Sequence, residues 1–340
     1  MRQLNKTKKK GIFKKLFVKL SRLLGYELID QADMSFVTSK DLKNPSISGK
    51  KSITLPLGEV KISRKVQSFD VILKTCTSVN LVSQNKKRIF EQPKSEYTMR
   101  TINSLIKSIK KASKDKSNIS FNITIIDAGS PKEDIATIDS ILKNSELKFN
   151  IICLNLNEYF KRIRVIKKNN SQIENNMKST MASIIKSFEL AKNLDDLVYF
   201  VEDDYIHDDE SISEMISAYE KFSTILKNEI FIIPVDYPYL YQKSQSTNVL
   251  IGQNNHWRSV KESLLTFLTS KKMINKYYSD LIKMGEVEYE PYETILHSIY
   301  DKENCFSPIP SLALHCTNVN SVFGLSPNIN AKKLWEINKN

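Results

Sequence analysis

Three consecutive carboxylates follow an apolar run in the segment LVYFVEDDYIHDDE, residues 197–210. These carboxylates are Glu202, Asp203 and Asp204. Crowded carboxylates raise each other's pKa values unless a positive charge lies between them. Because hard divalent cations prefer carboxylate oxygens, the segment predicts a metal site at the end of a buried strand. The structural alternative is that the acids begin the next helix, but residues 208–210 already supply acids there.

A series of strand and helix patterns surrounds the carboxylates. Short apolar, β-branched runs predict strands at 69–76, 121–127, 149–154 and 197–201. Helical spacing between these runs predicts an α/β fold: a mostly parallel central sheet with helices on both faces. Ligands bind such sheets outside the carboxyl ends of the strands. Thr75 and Asp127 fall at two of these ends, so we expect one site along this edge.

The remaining chain predicts further elements and a division into segments. After residue 204 we expect helices at 211–222, 267–284 and 291–300, and strands at 230–235, 249–257 and 311–315. Composition and the positions of Pro and Gly residues predict four segments. These are a basic amphipathic helix at 1–28, a linker or cap at 29–67, a main domain at 68–325 and a tail at 326–340.

Four short motifs, in their order and spacing, resemble those of GT-A glycosyltransferases, which have a Rossmann-like fold and use nucleotide-sugars. FDVILKT resembles the first strand, which receives the nucleotide, and IIDAGS resembles the turn whose first Asp, here Asp127, contacts the nucleobase. Ala128 replaces the second Asp of that turn. VYFVEDD resembles the strand before the DXD motif, which binds the metal–diphosphate. LALHCTN resembles a late metal-binding His, here His315, and the resemblance covers about residues 68–325.

The resemblance implies a metal-dependent glycosyltransferase. It would move a sugar from a nucleotide-sugar donor to a glycan or glycolipid acceptor in surface polysaccharide synthesis. The implied ligands of a Mn²⁺ or Mg²⁺ ion are Glu202, Asp204 and His315, and the imidazole favours Mn²⁺. Such an ion would act as a Lewis acid on the departing diphosphate. The candidates for contact with the donor are Thr75, Asp127, Lys178, Asp203 and Arg258.

Inverting transfer also needs a general base for the acceptor hydroxyl. Glu293 and Glu290, in EYEPYETILH, are the candidates, and Glu293 fits better because it lies at a predicted helix start. Each candidate has a structural alternative. Glu293 could be a helix N-terminal acid, Asp127 the cap of the helix opened by Pro131, and Arg258 a residue of a hairpin.

The net charge of +13 is concentrated at the start of the chain. Residues 1–22 hold nine basic residues and no acid, and apolar residues recur there at helical spacing. A basic amphipathic helix of this kind can lie on an anionic membrane surface, which we expect residues 1–26 to contact. The alternatives are an arm that packs on its own domain or one that binds nucleic acid. The small charge of the remaining chain argues against a nucleic-acid partner.

The cysteines bear on the cellular location of the protein, and the scarcity of glycine bears on its class of enzyme. The four cysteines form no CxxC pair, which indicates reduced thiols, and no apolar run is long enough to span a membrane. We therefore expect a cytoplasmic protein, peripheral on the inner face of the membrane. A nucleotidyltransferase would usually show a Gly-rich phosphate loop, and none is visible. A catalytically inactive membrane-peripheral scaffold is the other alternative, which Ala128 favours.

Overall fold

The computed structural model describes residues 12–26, 61–78, 88–165, 171–242, 246–288, 291–316, 325–326 and 328–339. The chain divides into two compact units, Met1–Lys61 and Ile62–Asn340. Within the described ranges, no helix combines the length and the apolar character that crossing a bilayer requires. The prediction of four segments stays a prediction.

The predicted amphipathic helix is present in the first unit. Helix α1 runs Ile12–Leu23 and has no acid in its first turn. Its described apolar side chains are 56% to 89% exposed: Phe13, Leu16, Phe17, Leu20 and Leu23. The helix therefore presents an uncovered apolar stripe within its own unit.

The second unit contains eleven described strands and ten described helices. The strands are β1 Ser68–Thr75, β2 Ser120–Asp127, β3 Lys148–Cys153, β4 Leu197–Glu202, β5 Tyr205–His207, β6 Phe231–Ile232, β7 Val249–Ile251, β8 His256–Ser259, β9 Phe267–Ser270, β10 Cys305–Ile309 and β11 Ala313–His315. The helices are α2 Lys94–Asp115, α3 Lys132–Asn144, α4 Asn157–Phe160, α5 Ser171–Ala191, α6 Ser211–Leu226, α7 Lys271–Lys276, α8 Tyr278–Leu281, α9 Lys283–Glu286, α10 Thr294–Tyr300 and α11 Ala331–Ile337. A 3₁₀ helix runs Pro238–Gln242.

Nine strands form one sheet in the order β3-β2-β1-β4-β9-β6-β10-β8-β7. The first four are parallel, as the alternation of strand and helix patterns predicts. Strand β9 runs antiparallel to both of its neighbours, β4 and β6. The α/β fold is thus confirmed, with a parallel half that carries the predicted edge and a mixed half beside it.

Helices cover both faces of the parallel half, as predicted. Successive strand residues point to opposite faces. On one face, Phe200 of β4 packs on Phe188 of α5, with ring centroids 5.1 Å apart. On the other face, Tyr199 bonds His207, whose Nδ1 lies 3.5 Å from Ser104 of α2. Apolar runs buried on both faces are what a covered parallel sheet requires.

The helix predicted at 267–284 is wrong in its first four residues. Residues 267–270 form β9 in the middle of the sheet, and only then do the short helices α7, α8 and α9 follow. Phe267, Leu268 and Thr269 are all buried, so their periodicity does not separate a strand from a helix. Ser270 marks the boundary, since its side chain accepts a hydrogen bond from the Met273 amide and caps α7.

Two other predicted strands have different bounds in the structure. The segment predicted as one strand at 249–257 is a hairpin of β7 and β8, which turns at residues 252–255. The buried carboxylate of Glu214 makes this turn possible. It accepts hydrogen bonds from the Gln253 and Asn254 amides at 3.1 and 2.9 Å, and from Trp257 Nε1 at 3.1 Å. The strand predicted at 230–235 pairs only at Phe231–Ile232.

A second, two-stranded sheet pairs β5 with β11 antiparallel. Helix α11 packs beside it, and Trp335 of this helix is 4% exposed. Trp335 stacks on Phe90 with ring centroids 4.2 Å apart and lies 4.8 Å from the Tyr97 ring of α2. The described end of the chain is therefore part of a small apolar cluster next to the predicted edge.

Candidate functional site

The predicted edge exists because β1, β2 and β4 end in register. Thr75 is paired with Asp127, and Lys74 with Glu202. The acids of the segment after β4 therefore lie beside the ends of β1 and β2. The structure brings Thr75, Asp127 and the carboxylate cluster to one side of the sheet, where ligands bind in such folds.

The Asp127 carboxylate is used inside the fold. Its Oδ2 accepts the amides of Gly129 and Ser130 at 3.0 and 2.9 Å, and its Oδ1 accepts the hydroxyls of Thr75, at 2.8 Å, and Ser130. Gly129 has a φ of +113°, which favours glycine there. These contacts give Asp127 and Thr75 a structural role in the turn before α3, but Asp127 does not cap that helix, whose N-cap is Pro131 without a side-chain hydrogen bond. A contact between Asp127 and a nucleobase stays a prediction.

Asp203 is likewise surrounded by partners. Its Oδ2 accepts a hydrogen bond from the Thr98 hydroxyl at 3.0 Å and from the Cys76 amide at 3.3 Å, and its Oδ1 bonds Lys94. Asp203 is only 6% exposed. It thus ties the end of β1 to the start of α2, and a role in donor binding stays a prediction.

Asp204 is buried but has loose surroundings. Its Oδ2 lies 3.6 Å from Arg88 Nη1, and its Oδ1 lies 3.8 Å from His315 Nε2. Both separations are longer than hydrogen bonds. Burial would raise the pKa of Asp204, but the charges of nearby cations, Lys94 and Arg88 among them, outweigh burial and lower the pKa. The carboxylate is therefore ionised without a close partner in the described chain.

The small sheet of β5 and β11 brings His315 to Asp204. Asp204 directly precedes β5, and the Cys316 amide donates to its carbonyl at 2.8 Å. The His315 ring stacks on Tyr205 with centroids 4.4 Å apart and planes at 9°. Burial lowers the pKa of His315, so the imidazole is neutral, and its Nδ1 has no hydrogen-bond partner in the described ranges.

Glu202 and Glu293 are half-buried and lie near enough for the charge of Glu202 to affect Glu293. Lys74 Nζ lies 3.7 Å from Glu202, whose pKa is raised by burial despite this cation. Glu293 is at the N-cap position of α10. Burial, with the charge of Glu202, raises the pKa of Glu293 to about 7. A carboxylate with a pKa near neutrality suits proton transfer.

Three predicted residues lie apart from this cluster or outside the described residues. Arg258 donates to Asp236 at 2.8 and 3.0 Å and lies 4.1 Å from the Tyr241 ring, which favours its structural alternative. Lys178, in α5, lies 5.2 Å from the Phe160 ring of α4. Glu290 lies outside the described residues. Donor contact by Arg258 and Lys178 stays a prediction.

Sequence reasoning missed three cations of the edge: Lys74, Arg88 and Lys94. Lys74 is one of the residues of FDVILKT, where a buried strand ends in a basic residue, and this signal was available. Arg88 and Lys94 precede or begin α2 in a chain rich in basic residues, so nothing in their spacing marked them. Their positions come from the packing of α2 against the sheet.

The side chains at this edge offer a divalent ion two protein ligands, Asp204 and His315. Within the described ranges, no group of three or more metal-binding side chains is assembled. Glu202 lies beside Lys74, while Asp204 and His315 are one ionised carboxylate and one neutral imidazole, 3.8 Å apart with no hydrogen bond. Two such donors fit an ion that takes its remaining ligands from substrate phosphate and water. They do not fit a site closed by protein ligands alone.

Searches of known proteins give structural matches only. No family model matches the chain, and no curated protein matches its sequence. The solved galactosyltransferase LgtC, in complex with donor and acceptor sugar analogs, is similar at 12% identity and a TM-score of 0.34. That match covers 68% of this chain and 70% of LgtC.

Two further structures are similar over a comparable stretch. Residues 1–349 of TarS from S. aureus match at 10% identity and a TM-score of 0.40, covering 71% of this chain and 57% of that one. Mouse xyloside xylosyltransferase 1 matches at 8% identity and a TM-score of 0.34, covering 69% of this chain and 76% of that one. At these identities and TM-scores the matches assign no role to any residue, so each role rests on the contacts within this chain.

Proposed function

We propose that the protein is a nucleotide-sugar-dependent glycosyltransferase whose reaction takes place at the edge formed by β1, β2 and β4. One observation carries this proposal: Asp204 and His315 lie side by side, without hydrogen bonds between them, on the edge that also holds Glu202. Side chains used only for folding normally have their hydrogen bonds satisfied when they are buried. This pair instead has free capacity for a ligand.

Glu293 is the proposed general base of a single displacement. The acceptor hydroxyl oxygen forms a bond to the anomeric carbon of the sugar. The bond from that carbon to the diphosphate oxygen breaks, and its electron pair leaves with the nucleoside diphosphate. The hydroxyl proton passes to Glu293, whose pKa of about 7 makes it a competent acceptor at neutral pH. Attack opposite the leaving group inverts the anomeric configuration.

Asp204 and His315 are the proposed ligands of a divalent ion, with Mn²⁺ favoured over Mg²⁺ by the imidazole. When bound, the ion would supply Lewis-acid stabilisation to the diphosphate. Glu202 is placed by its register beside Lys74, so we give it an electrostatic role next to Glu293 rather than that of a third close ligand. Asp204 must stay ionised for this function, and the neighbouring cations that lower its pKa support that state.

The acceptor is proposed to be a glycan or lipid-linked sugar at an anionic membrane, in surface polysaccharide synthesis on the cytoplasmic side. The exposed apolar stripe of α1 supports this, together with the nine basic residues and absence of acids in residues 1–22. Apolar burial and attraction to anionic lipid act together in helices of this type.

Ligand-induced stabilisation tests the donor site. Melting curves of wild type and Asp204→Asn would be recorded with ADP, GDP, CDP and UDP, each with Mn²⁺ and with EDTA. Binding to the native state raises its apparent stability by mass action. We expect one diphosphate to raise the wild-type Tm only with Mn²⁺, and Asp204→Asn to lose that rise. Asp139→Asn, on the exposed face of α3, makes the same change in net charge and serves as the control. If no diphosphate shifts the wild-type Tm, the transferase proposal fails and the scaffold alternative takes its place.

Vesicle binding tests the membrane contact separately. We expect the full chain to sediment with phosphatidylcholine vesicles only when they contain phosphatidylglycerol, because the basic helix needs anionic lipid. Phe17→Glu breaks the apolar stripe and should abolish sedimentation. Lys15→Gln lowers the charge, leaves every apolar residue of the helix unchanged, and should weaken binding to the vesicles by about 1 kcal/mol. Equal sedimentation of wild type and Phe17→Glu would contradict the proposal.

A further inference from the structure

Arg88 is a buried cation with unsatisfied hydrogen-bonding groups. Its side chain is 9% exposed, and neither Nη1 nor Nη2 has a hydrogen-bond partner in the described part of the chain. The nearest anionic atom there is Asp204 Oδ2, at 3.6 Å from Nη1. A desolvated guanidinium without partners is costly, because its lost hydrogen bonds to water are not replaced.

Other buried arginines of the second unit do have close anionic partners. Arg100 donates to Glu96 at 3.2 Å, and Arg258 donates to Asp236 at 2.8 and 3.0 Å. Arg88 has a similar burial but no such contact. Its planar fork of donors matches a carboxylate or phosphate that offers two oxygens. A phosphate ligand would satisfy both nitrogens, whereas Asp204 at 3.6 Å satisfies neither.

Contacts of Arg88 and of the residues that follow it fix the position of the guanidinium. The guanidinium carbon lies 4.7 Å from the centre of the Tyr97 ring. The Phe90 amide donates to the Tyr97 hydroxyl at 3.2 Å, and the Phe90 ring stacks on Trp335. Helices α2 and α11 therefore position Arg88 over the carboxylate that we propose as a metal ligand.

We infer that Arg88 is the counter-ion of Asp204 before the donor binds and the counter-ion of the donor diphosphate afterwards. The inference rests on the proposed function. Before the diphosphate binds, the Arg88 cation beside Asp204 opposes binding of a divalent ion by like-charge repulsion. Once Arg88 contacts the diphosphate, Asp204 would be free to bind the ion, and phosphate oxygens would offer it further ligands. Nucleoside diphosphate and metal should thus bind with positive coupling, and each should raise the affinity for the other by the same factor.

Two titrations on the full chain measure this coupling. Electron paramagnetic resonance of free Mn²⁺ gives the Kd of the ion alone. Calorimetry gives the Kd of the best of ADP, GDP, CDP and UDP, with Mn²⁺ and with EDTA. The proteins are wild type, Arg88→Met, Arg88→Lys and the charge-matched control Lys111→Met. In Arg88→Met we expect Mn²⁺ alone to bind about tenfold tighter and the diphosphate with Mn²⁺ about tenfold weaker, the size of one charge-assisted contact.

The controls separate the inference from the proposed function. Arg88→Lys keeps the charge and should recover part of the diphosphate affinity, while Lys111→Met should match wild type. If Arg88→Met leaves both Kd values at the wild-type level, the inference is overturned and the proposed function stands. If wild type binds none of the four diphosphates, the proposed function fails and takes the inference with it. If Arg88→Met does not fold, the same two Kd values measured on Arg88→Lys and Arg88→Gln test the inference.

Discussion

Asp203 and Asp204 are neighbours in the chain and lie at the same edge of the sheet, yet their surroundings differ completely. Asp203 has Lys94, the Thr98 hydroxyl and the Cys76 amide around it. Among the described residues, the side chains nearest the Asp204 carboxylate are Arg88 and His315, at 3.6 and 3.8 Å. Residue type and burial therefore do not distinguish the two carboxylates. Unused hydrogen-bonding capacity does, and it is the reason why Asp204 is the one proposed to bind a ligand.

The same contrast separates two wider regions. The turn at Asp127 and the start of α2 form a satisfied region, in which each carboxylate oxygen has a partner. The strand end at Asp204, with β11 and the turn at Arg88, forms an unsatisfied region. We expect changes in the first region to lower the free energy of unfolding and changes in the second to lower binding or turnover.

The largest effect is expected at Glu293, the proposed general base. Glu293→Gln removes the proposed base and should lower kcat by about 10²–10⁴-fold. In wild type, kcat/KM should rise with pH and level off above about 7, since the base acts when deprotonated. Initial rates from pH 5 to 9 give both quantities. Unchanged rates in the variant would remove Glu293 from the mechanism.

Glu293 also links function to stability. Its pKa of about 7 in the folded state exceeds its ordinary value of 4.5. Its contribution to stability is therefore full below about pH 4.5 and is lost as the pH rises through 7. Glu293→Gln should raise Tm at pH 8, with a smaller gain at pH 5. A Tm lowered equally at both values would mean that the carboxyl group mainly holds the start of α10.

The next effect is expected at Asp204. Asp204→Asn keeps the shape but removes the charge, and it should lower turnover by about 10²–10³-fold, as loss of an electrostatic stabiliser does. Its free energy of unfolding should fall by less than that of Asp203→Asn, because the nearest cation, Arg88, lies 3.6 Å away and no hydrogen bond is lost. Urea unfolding and rate measurements on one preparation test both statements. A large loss of stability would erase the contrast with Asp203.

Asp203→Asn should show the opposite behaviour. It leaves Lys94 without its anionic partner in a largely buried place, which should lower the free energy of unfolding by about 3 kcal/mol. The Kd of the nucleoside diphosphate should change little in protein that remains folded. Urea unfolding and calorimetry check the two parts. A stable variant that binds no diphosphate would place Asp203 in the functional region instead.

The smallest effect is expected at Asp127. Asp127→Asn can no longer accept every hydrogen bond of the turn, so we expect a loss of about 1–2 kcal/mol in unfolding free energy. The preference among the four nucleoside diphosphates should not change if the carboxylate only shapes the turn. An altered preference, measured by competition between UDP and GDP, would support the nucleobase contact that the resemblance predicts.

Much of the parallel half of the fold follows from local patterns. The apolar runs at 69–76, 121–127 and 197–201 predicted β1, β2 and β4 to within one residue at each end, because strands covered on both faces must be continuously apolar. The strands of the mixed half were harder to predict from the sequence. The strand β9 lies between β4 and β6, and its four residues carry no alternation that distinguishes them from the helices that follow.

The sequence by itself determined the α/β class, the edge at which polar residues gather and the types of its acids, because these depend on periodicity and on strand ends. Only the tertiary structure decided which acid is satisfied. Lys94 reaches Asp203 through the packing of α2, and His315 reaches Asp204 through the pairing of β11 with β5. Such partners are more than 100 residues apart in the chain, so local spacing carries no information about them.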